Sequence, residues 1–333
     1  MNSYIKGISY YLPEEILTNN DLINDFPEWH VDKIADKVGI IQRHIAKSDE
    51  TSGDMAEKAA LRLFNEYNID PAKIDYILLN TQSPDYFLPT TACILQHKLN
   101  IPTTAGALDI NLGCSGYVYG LSIAKGLISG GIAQNILLLT AETYSKFLHP
   151  KDKSNRTIFG DAATATLIST EGIGKIKNFS LGSDGSGYQN LIVETGGLRN
   201  RRMLKKEKMD ENGSIISSDH LYMNGSEIFN FTLDTVPKLI ENTLAKNNLT
   251  LGDIDLFVFH QANKFMLNSL RKLCGIDKER FLYCLDRFGN TVSSTIPIAL
   301  KEAITDKIIK ESQKILLAGF GVGYSWGGCI VKF

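Results

Sequence analysis

The sequence predicts an α/β protein that is built from two related halves. Short apolar runs of strand length alternate with amphipathic helical segments along the chain, for example at residues 74–79 and 135–139. Runs that are apolar at every position are typical of strands buried on both faces, so we expect a largely parallel sheet with helices on each side. An internal repeat indicates the two halves, because residues 68–80 resemble residues 248–260 and residues 135–139 resemble residues 314–318.

The repeat also predicts where the halves meet. The first pair of segments shares an initial Asn, an Ile-Asp pair at positions seven and eight, and an apolar strand that ends in a polar residue. The second pair follows at almost the same offset. We therefore divide the chain into an N-terminal half of residues 1–172 and a C-terminal half of residues 173–333, each close to a usual domain size.

Local signals predict the elements of each half in turn. A strand is expected over residues 4–11, and Thr18 and Thr51 stand at helix caps, the second before a long amphipathic helix. In the second half, Ser226 is expected to cap a helix. The glycine-rich run of residues 319–328 either lets the backbone approach another segment closely or forms two strands with a tight turn.

Composition excludes several classes of function. A net charge of −2 argues against nucleic acid as the main partner. Five cysteines without regular spacing argue against a disulfide framework and for a reducing cytoplasm, and no Cys/His cluster suggests a metal site. We expect neither a signal peptide nor a membrane span, since no stretch approaches about 18 consecutive apolar residues.

The turn Gly113-Cys114-Ser115-Gly116 carries the candidate nucleophile. It follows an apolar run at residues 107–110 and precedes apolar residues at helical spacing, so Cys114 stands at the start of a buried helix. Unpaired N–H groups and the positive end of the helix dipole favour a thiolate there, and the same N–H groups can stabilise an oxyanion. The alternative is a buried, inert cysteine of the core.

Two further polar residues are expected to meet Cys114. His260 ends the second-half strand that matches residues 74–80, which predicts a position at the ligand-binding edge of the sheet. Adding the repeat offset to Cys114 leads to Ser293 and Ser294, so the loop that carries Asn290 is the counterpart of the nucleophile turn. If a pseudo-two-fold axis relates the halves, these residues converge. Alone, His260 is more often structural and Asn290 a turn residue.

Six motifs resemble those of the β-ketoacyl-acyl-carrier-protein synthase III family, which belongs to the thiolase superfamily. In chain order they are GCSGYVYGL, FGDAA, MNGSEIF, FHQAN, FGNTVSS and GFGVGYSWGG. The resemblance spans essentially the whole chain. It implies a thiolase-like, five-layered α-β-α-β-α fold of two duplicated halves, usually assembled as a homodimer. The family's catalytic cysteine, histidine and asparagine fall on Cys114, His260 and Asn290.

The resemblance also implies a reaction. Cys114 would take an acyl group from an acyl-CoA, while the backbone N–H groups of Cys114 and Val322 hold the oxyanion. His260 and Asn290 would donate hydrogen bonds to a malonyl thioester on acyl carrier protein as CO₂ departs. The implied reaction is thus a decarboxylating Claisen condensation that needs no metal or redox cofactor.

Several positions depart from the family pattern. Val322 stands where the family often has glycine, and Leu88, with Phe87 beside it, lies nearest the residue that a neighbouring subunit contributes to the acyl pocket. The connection after Trp29 is longer than usual. The positions at which the resemblance suggests contacts with CoA or carrier protein are Trp29, Lys37, Lys264, Arg271 and Lys272.

Other interpretations remain open at this level. The same fold could transfer an acyl group without condensation, to an amine or hydroxyl of a sugar or secondary metabolite, or could serve as a non-catalytic carrier-binding subunit. Hydroxymethylglutaryl-CoA synthase needs a glutamate base that we do not locate. A basic segment is either a solvated loop or a landing surface for an acidic carrier or a cofactor phosphate; its members are Arg199, Arg201, Arg202, Lys205, Lys206 and Lys208.

Overall fold

The computed structural model describes residues 1–28, 30–209, 213 and 215–333 of the 333-residue chain. Eight α-helices lie within these residues: α1 (Asn19–Asp25), α2 (Val31–Val38), α3 (Ser52–Tyr67), α4 (Thr91–Lys98), α5 (Gly116–Ser129), α6 (Gly225–Lys246), α7 (Lys264–Leu273) and α8 (Thr295–Thr305). The strands in the same part of the chain are β1 (Tyr4–Tyr11), β2 (Glu15–Thr18), β3 (Gln42–Ile45), β4 (Tyr76–Asn80), β5 (Gly106–Ile110), β6 (Asn135–Glu142), β7 (Ala162–Ser169), β8 (Gly174–Ser183), β9 (Leu191–Ile192), β10 (Glu207–Met209), β11 (Ile215–Ser217), β12 (Tyr222–Met223), β13 (Leu256–Phe259), β14 (Lys314–Gly321) and β15 (Ser325–Lys332).

Strands of both halves form one mixed sheet in the order β13-β14-β15-β8-β1-β7-β6-β4-β5. Only β4/β5, β4/β6 and β13/β14 are parallel among the neighbouring pairs of this sheet; the others are antiparallel. The expectation of a largely parallel sheet is therefore wrong. A continuous apolar run reports burial on both faces, and it carries no information about strand direction.

The strand order repeats within the sheet. From β1 outward the first half runs β1-β7-β6-β4-β5, and from β8 outward the second half runs β8-β15-β14-β13. Phe281 forms a parallel bridge with Phe257 of β13. In the second half it therefore stands at the place that β5 has in the first half. The halves join through the antiparallel pair β1/β8, at Tyr4 opposite Lys175. The domain boundary at residues 172 and 173 stays a prediction, since no observation divides the chain there.

Apolar side chains of the central strands alternate between three clusters and so define the layers. In β6, Leu138 packs in the same cluster as Leu121 of α5 and Ala299 of α8. Its neighbour Leu137 faces the opposite cluster, which contains residues of α3 and α4. The second half repeats the pattern, with Leu316 of β14 facing α6 and α7. Helices α5 and α8 thus lie between the two parts of the sheet, which gives five layers in the order α-β-α-β-α.

Two of the three expected helix caps agree with the structure. Thr18 and Thr51 each form a capping box, the second at the start of α3. The prediction for Ser226 is wrong, because the side chain of Asn224 accepts the hydrogen bond from the N–H of Glu227 and caps α6. Asparagine is as good an N-cap as serine, so the sequence alone does not show whether Asn224 or Ser226 caps the helix. In the described residues no helix is both long and apolar enough to cross a membrane.

Candidate active site

Cys114 lies in a tight turn between β5 and α5. The N–H of Gly116 donates to the carbonyl of Gly113 across the turn, at 2.8 Å. A side chain on Gly113 would lie 2.5 Å from Val322 Cγ1, and one on Gly116 would overlap the side chain of Asn80. Glycine is therefore required on both sides of Cys114, because other segments pack directly against the turn.

The glycine-rich run near the C-terminus is one of those segments. It forms β14, a short turn that contains Val322, and β15, so it is a hairpin that also makes a close approach. A side chain on Gly319 would lie 2.8 Å from the carbonyl oxygen of Cys114, and one on Gly321 would lie 2.9 Å from its Sγ. The second half of the chain thus closes over the candidate nucleophile.

Two backbone N–H groups act on the sulfur of Cys114. They belong to Cys114 and Val322, the two groups expected to form an oxyanion hole, and both lower the pKa of the thiol. Burial acts more strongly and, together with the charge of Glu142, raises this pKa to about 12. The expectation that the turn favours a thiolate is therefore wrong, since removal of the sulfur from water outweighs the helix terminus.

His260 directly follows β13 and is almost completely buried. Its N–H donates to the carbonyl of Ala318 in β14 at 2.8 Å, and the edge of Phe320 packs against the ring. Nδ1 lies 2.8 Å from Oγ1 of Thr295. Burial lowers the pKa of His260 to about 3, so the ring is neutral at physiological pH and carries its proton on one nitrogen only.

Asn290 lies in the loop before α8 and is also buried. Its backbone N–H donates to the carbonyl of Ile158, which ties the loop to the first half. Its side-chain Oδ1 accepts the N–H of Val292 at 2.9 Å. Because the oxygen is occupied, Nδ2 is the group that can donate to a ligand. Val292 has a φ of 55°, which is rare for a β-branched residue.

The structure links the three sequence-predicted residues through short contacts. Thr295 Oγ1 lies 2.8 Å from Nδ1 of His260 and 3.0 Å from the carbonyl oxygen of Val292, whose N–H donates to Asn290 Oδ1. On the other side, β14 contacts both His260 and the nucleophile turn. A sulfur nucleophile, a neutral histidine and an amide donor therefore share one buried region. This combination suits the transfer of an acyl group and the stabilisation of a developing oxyanion.

A cavity of about 830 Å³ lies beside Val322. Gln82, Tyr144 and Phe87 contribute to its wall, together with an apolar surface formed by Phe147, Leu191, Ile192, Val193 and Leu221. Of the two residues expected at an acyl pocket, Phe87 lines this cavity and Leu88 does not. Both side chains are more than 80% exposed in the chain.

Comparisons with known proteins agree with this arrangement. Two family models match, 3-oxoacyl-[acyl-carrier-protein (ACP)] synthase III over residues 108–185 and the C-terminal part of the same synthase over residues 244–333. The β-ketoacyl-[acyl-carrier-protein] synthase III of Clostridium perfringens is 36% identical over 332 residues, which cover 99% of each chain. The chain belongs to the β-ketoacyl-[acyl-carrier-protein] synthase III family.

Solved structures of family members share the fold. A crystal structure of a 3-oxoacyl-(acyl-carrier-protein) synthase III superposes with a TM-score of 0.98 at 47% identity and covers both chains completely. The 3-oxoacyl-(acyl-carrier protein) synthase of Burkholderia xenovorans LB400 gives a TM-score of 0.90 at 35% identity, over 100% of this chain and 94% of that chain. The thiolase-like fold and the family, both predicted from the sequence, are thus confirmed, and the family is one of acyl-transferring condensing enzymes.

Sequence reasoning missed one acidic residue of this synthase III site. Glu142 ends β6 and is fully buried, and its carboxyl oxygens accept hydrogen bonds from the N–H of Gln82 and the hydroxyls of Ser83 and Ser293. Burial raises its pKa to about 8. The signal was present, because Glu142 is a polar residue at the end of a buried strand, the same feature that singled out His260.

The residues expected to contact CoA or carrier protein differ in exposure and in the contacts that their side chains already make. Lys37 and Lys264 are both exposed, and Gly39 at the end of α2 packs against the side chain of Lys264. Lys272 is exposed, but Arg271 donates to the carbonyl of Ile276 at 2.8 Å, which ties it to the segment after its own helix. Trp29 lies outside the described residues. The roles of all five remain predictions.

All six basic residues of the segment from Arg199 to Lys208 are exposed. Asp219 holds it at one point, where the carboxylate accepts the N–H groups of Leu204 and Lys205 and the hydroxyl of Thr195. A solvated loop and a landing surface are both compatible with this geometry. Among the described residues, no group of three or more His, Cys, Asp and Glu side chains suits a metal ion.

Proposed function

We propose that the chain catalyses a decarboxylating Claisen condensation between an acyl-CoA and a malonyl thioester of acyl carrier protein, with Cys114 as the nucleophile. The observation that carries the proposal is that the hairpin containing Val322 lies against the Cys114 sulfur, where a side chain on Gly321 would come within 2.9 Å of Sγ, and that the N–H groups of Cys114 and Val322 lower the pKa of this thiol. Donors fixed in this way are suited to an oxyanion that forms when the sulfur attacks a thioester carbonyl.

In the first half-reaction, a bond forms between Cys114 Sγ and the acyl carbonyl carbon, and the bond to the sulfur of CoA breaks. The thiol proton of Cys114 ends on the departing thiol of CoA, so atoms and charge balance. Because the pKa of Cys114 is raised to about 12, little thiolate exists beforehand, and loss of the proton must accompany the attack.

In the second half-reaction, the carbon–carbon bond to the malonyl carboxylate breaks and CO₂ leaves. The electron pair becomes an enolate, whose oxygen accepts hydrogen bonds from His260 and from Nδ2 of Asn290. The enolate carbon attacks the acyl group on Cys114, and the cysteine leaves as a thiolate that takes a proton from water. Neutral donors suit this step, and the low pKa of His260 keeps the ring neutral. Every step moves an acyl group, an electron pair or a proton, so the chemistry calls for no metal or redox cofactor.

The binding surfaces follow from the same proposal. The acyl chain would occupy the cavity beside Val322. Phe87 and Leu88 would lie at the mouth of this cavity or, in a homodimer, at the mouth of the same cavity in the second subunit. The exposed cations Lys37, Lys264 and Lys272 would face the phosphates of CoA or the acidic surface of acyl carrier protein. Trp29 and Arg271 complete the proposed contacts, and the enzyme would act in the cytoplasm.

Intact-protein mass spectrometry after incubation with a panel of acyl-CoAs tests the nucleophile. We expect one acyl group per chain on the wild-type protein and on the Cys93→Ala control, which removes an exposed cysteine, and none on Cys114→Ala. Malonyl acyl carrier protein should then discharge the acyl group as a ketoacyl product. An acyl-enzyme that malonyl acyl carrier protein leaves intact, but that an amine or hydroxyl acceptor discharges, would contradict the condensing function and indicate simple acyl transfer. Absence of loading would contradict acyl-CoA as the donor.

A further inference from the structure

We propose that Thr295 is a positioning residue whose hydroxyl donates to Nδ1 of His260 and thereby places the histidine proton on Nε2. The two atoms are 2.8 Å apart, and both side chains are buried. This inference rests on the proposed function, since it concerns how His260 becomes a hydrogen-bond donor to the enolate oxygen.

The need for such a residue follows from the charge of the ring. Burial keeps His260 neutral, and a neutral imidazole has one nitrogen that donates and one that accepts. If Nδ1 carried the proton, Nε2 would present a lone pair to the enolate oxygen and repel it. The second half-reaction therefore needs a group that donates to Nδ1, and a hydroxyl is able to do so.

A competing acceptor for the hydroxyl hydrogen is the carbonyl of Val292, which lies 3.0 Å from Thr295 Oγ1. That carbonyl already accepts the backbone N–H of Thr295, so it stays satisfied when the hydroxyl turns to His260. The hydroxyl of Thr295 can thus donate to Nδ1 without leaving the buried carbonyl of Val292 unpaired.

The same geometry connects the two proposed donors. The unusual backbone of Val292 directs its N–H to Asn290 Oδ1 and leaves its carbonyl oxygen 3.0 Å from Thr295 Oγ1. Because the N–H of Val292 occupies Oδ1 of Asn290, the amide NH₂ of Asn290 is the group that donates to substrate. Thr295 likewise occupies Nδ1 of His260 so that Nε2 donates. One short segment thus determines which atom of each group is the hydrogen-bond donor.

The test compares Thr295→Val, which removes the hydroxyl at nearly constant volume, with Thr295→Ser, which keeps it. We expect release of CO₂ from malonyl acyl carrier protein to fall about 100-fold or more in the valine variant, the effect of losing one oxyanion donor. Acylation of Cys114 should change by less than about threefold, and the serine variant should recover most of the CO₂ release. The control is Thr291→Val, because the buried hydroxyl of Thr291 has no hydrogen-bond partner among the described residues.

A second readout reports the tautomer itself. In protein labelled with ¹⁵N-histidine, long-range ¹H–¹⁵N spectra of the wild type should show a protonated Nε2 and an unprotonated Nδ1 at His260. In Thr295→Val no hydroxyl donates to Nδ1, so the form with its proton on Nε2 should lose its preference and the form with its proton on Nδ1 should become populated. A wild-type ring with its proton on Nδ1, or equal loss of both half-reactions with no recovery in Thr295→Ser, would overturn the inference. A wild type that releases no CO₂ would contradict the proposed function instead, while the tautomer would still be measured.

Discussion

The hydroxyl oxygens of Ser115 and Ser325 lie 2.7 Å apart and join the nucleophile turn to the C-terminal hairpin. Ser325 also donates to the carbonyl of Val322 at 2.9 Å, so the hydrogen between the two serines comes from Ser115. The contact therefore fixes Val322, whose N–H lowers the pKa of Cys114, relative to the residue that follows this cysteine. One buried hydroxyl pair thus holds together the two parts of the proposed oxyanion hole.

Loss of this contact should affect both stability and acylation. We expect Ser325→Ala to lower the free energy of unfolding by about 1–3 kcal/mol, because it leaves the hydroxyl of Ser115 buried without an acceptor. Acylation of Cys114 should slow about tenfold or more as the Val322 N–H loses its fixed position. Chemical denaturation and the rate of acyl loading provide the measurements. Ser122→Ala is the matched control, since among the described residues the hydroxyl of Ser122 bonds only to the carbonyl of Tyr119 in the same helix. Equal effects of both variants would refute the role of the pair.

The buried carboxyl group of Glu142 should make stability depend on pH. Burial raises its pKa from 4.5 to about 8, so below pH 4.5 it is protonated in the folded and unfolded chain alike. Between these two values the unfolded chain ionises and the folded chain does not, which lowers the stability of the wild type as pH rises; above pH 8 the loss is complete. Glu142→Gln lacks this loss. Denaturant titrations at about pH 5 and about pH 8 should therefore show the wild type losing stability relative to the variant, and parallel curves would contradict the raised pKa.

The same substitution should make Cys114 more acidic. The charge of Glu142 is, after burial, the second cause of the raised pKa of this thiol. Alkylation by iodoacetamide, followed against pH, should show a lower apparent pKa in Glu142→Gln than in the wild type. An unchanged profile would mean that burial alone sets the reactivity of the sulfur.

Asn290→Asp separates the two functions of this amide. The aspartate keeps an oxygen that accepts the N–H of Val292, so the loop should retain its conformation. It replaces the donating NH₂ by a second oxygen that repels an enolate, and we expect release of CO₂ to fall about 100- to 1,000-fold. Acyl loading of Cys114 should stay within about threefold of the wild type. An equal loss in both half-reactions would indicate that Asn290 acts only on the structure of the loop.

Val322→Gly probes the choice of acyl group. Its backbone N–H survives the substitution, so short acyl chains should still load within a fewfold of the wild-type rate. Removal of the side chain enlarges the cavity that Val322 lines, and loading should shift toward bulkier or branched acyl-CoAs. Competition between straight and branched acyl-CoAs, read by intact mass, measures this preference. No shift would show that the acyl group lies elsewhere.

Features that depend on neighbours in sequence were predicted well. The bounds of β1 and the capping box at Thr51 follow from local pattern and from the chemistry of one side chain. The position of Cys114 before α5 follows from a turn with glycine on both sides. His260 was found because a polar residue that ends a buried apolar strand needs a reason to be there.

Features that depend on contacts between distant segments were not predictable in the same way. The pKa of Cys114 depends on burial by β14 and on the charge of Glu142, neither of which a local helix argument contains. The direction of β7 and β15 is set by how they pair, while their composition reports burial alone. Thr295 gave no signal in sequence, because its role depends on the distance to a ring that lies far along the chain.

The most direct test of the central claim is a single turnover of the acyl-loaded protein with malonyl acyl carrier protein that carries ¹³C in its free carboxyl group. Condensation through Cys114, His260 and Asn290 predicts one labelled CO₂ for each acyl group that leaves Cys114, together with an unlabelled ketoacyl carrier protein. Loss of the acyl group from Cys114 without release of labelled CO₂ would contradict it.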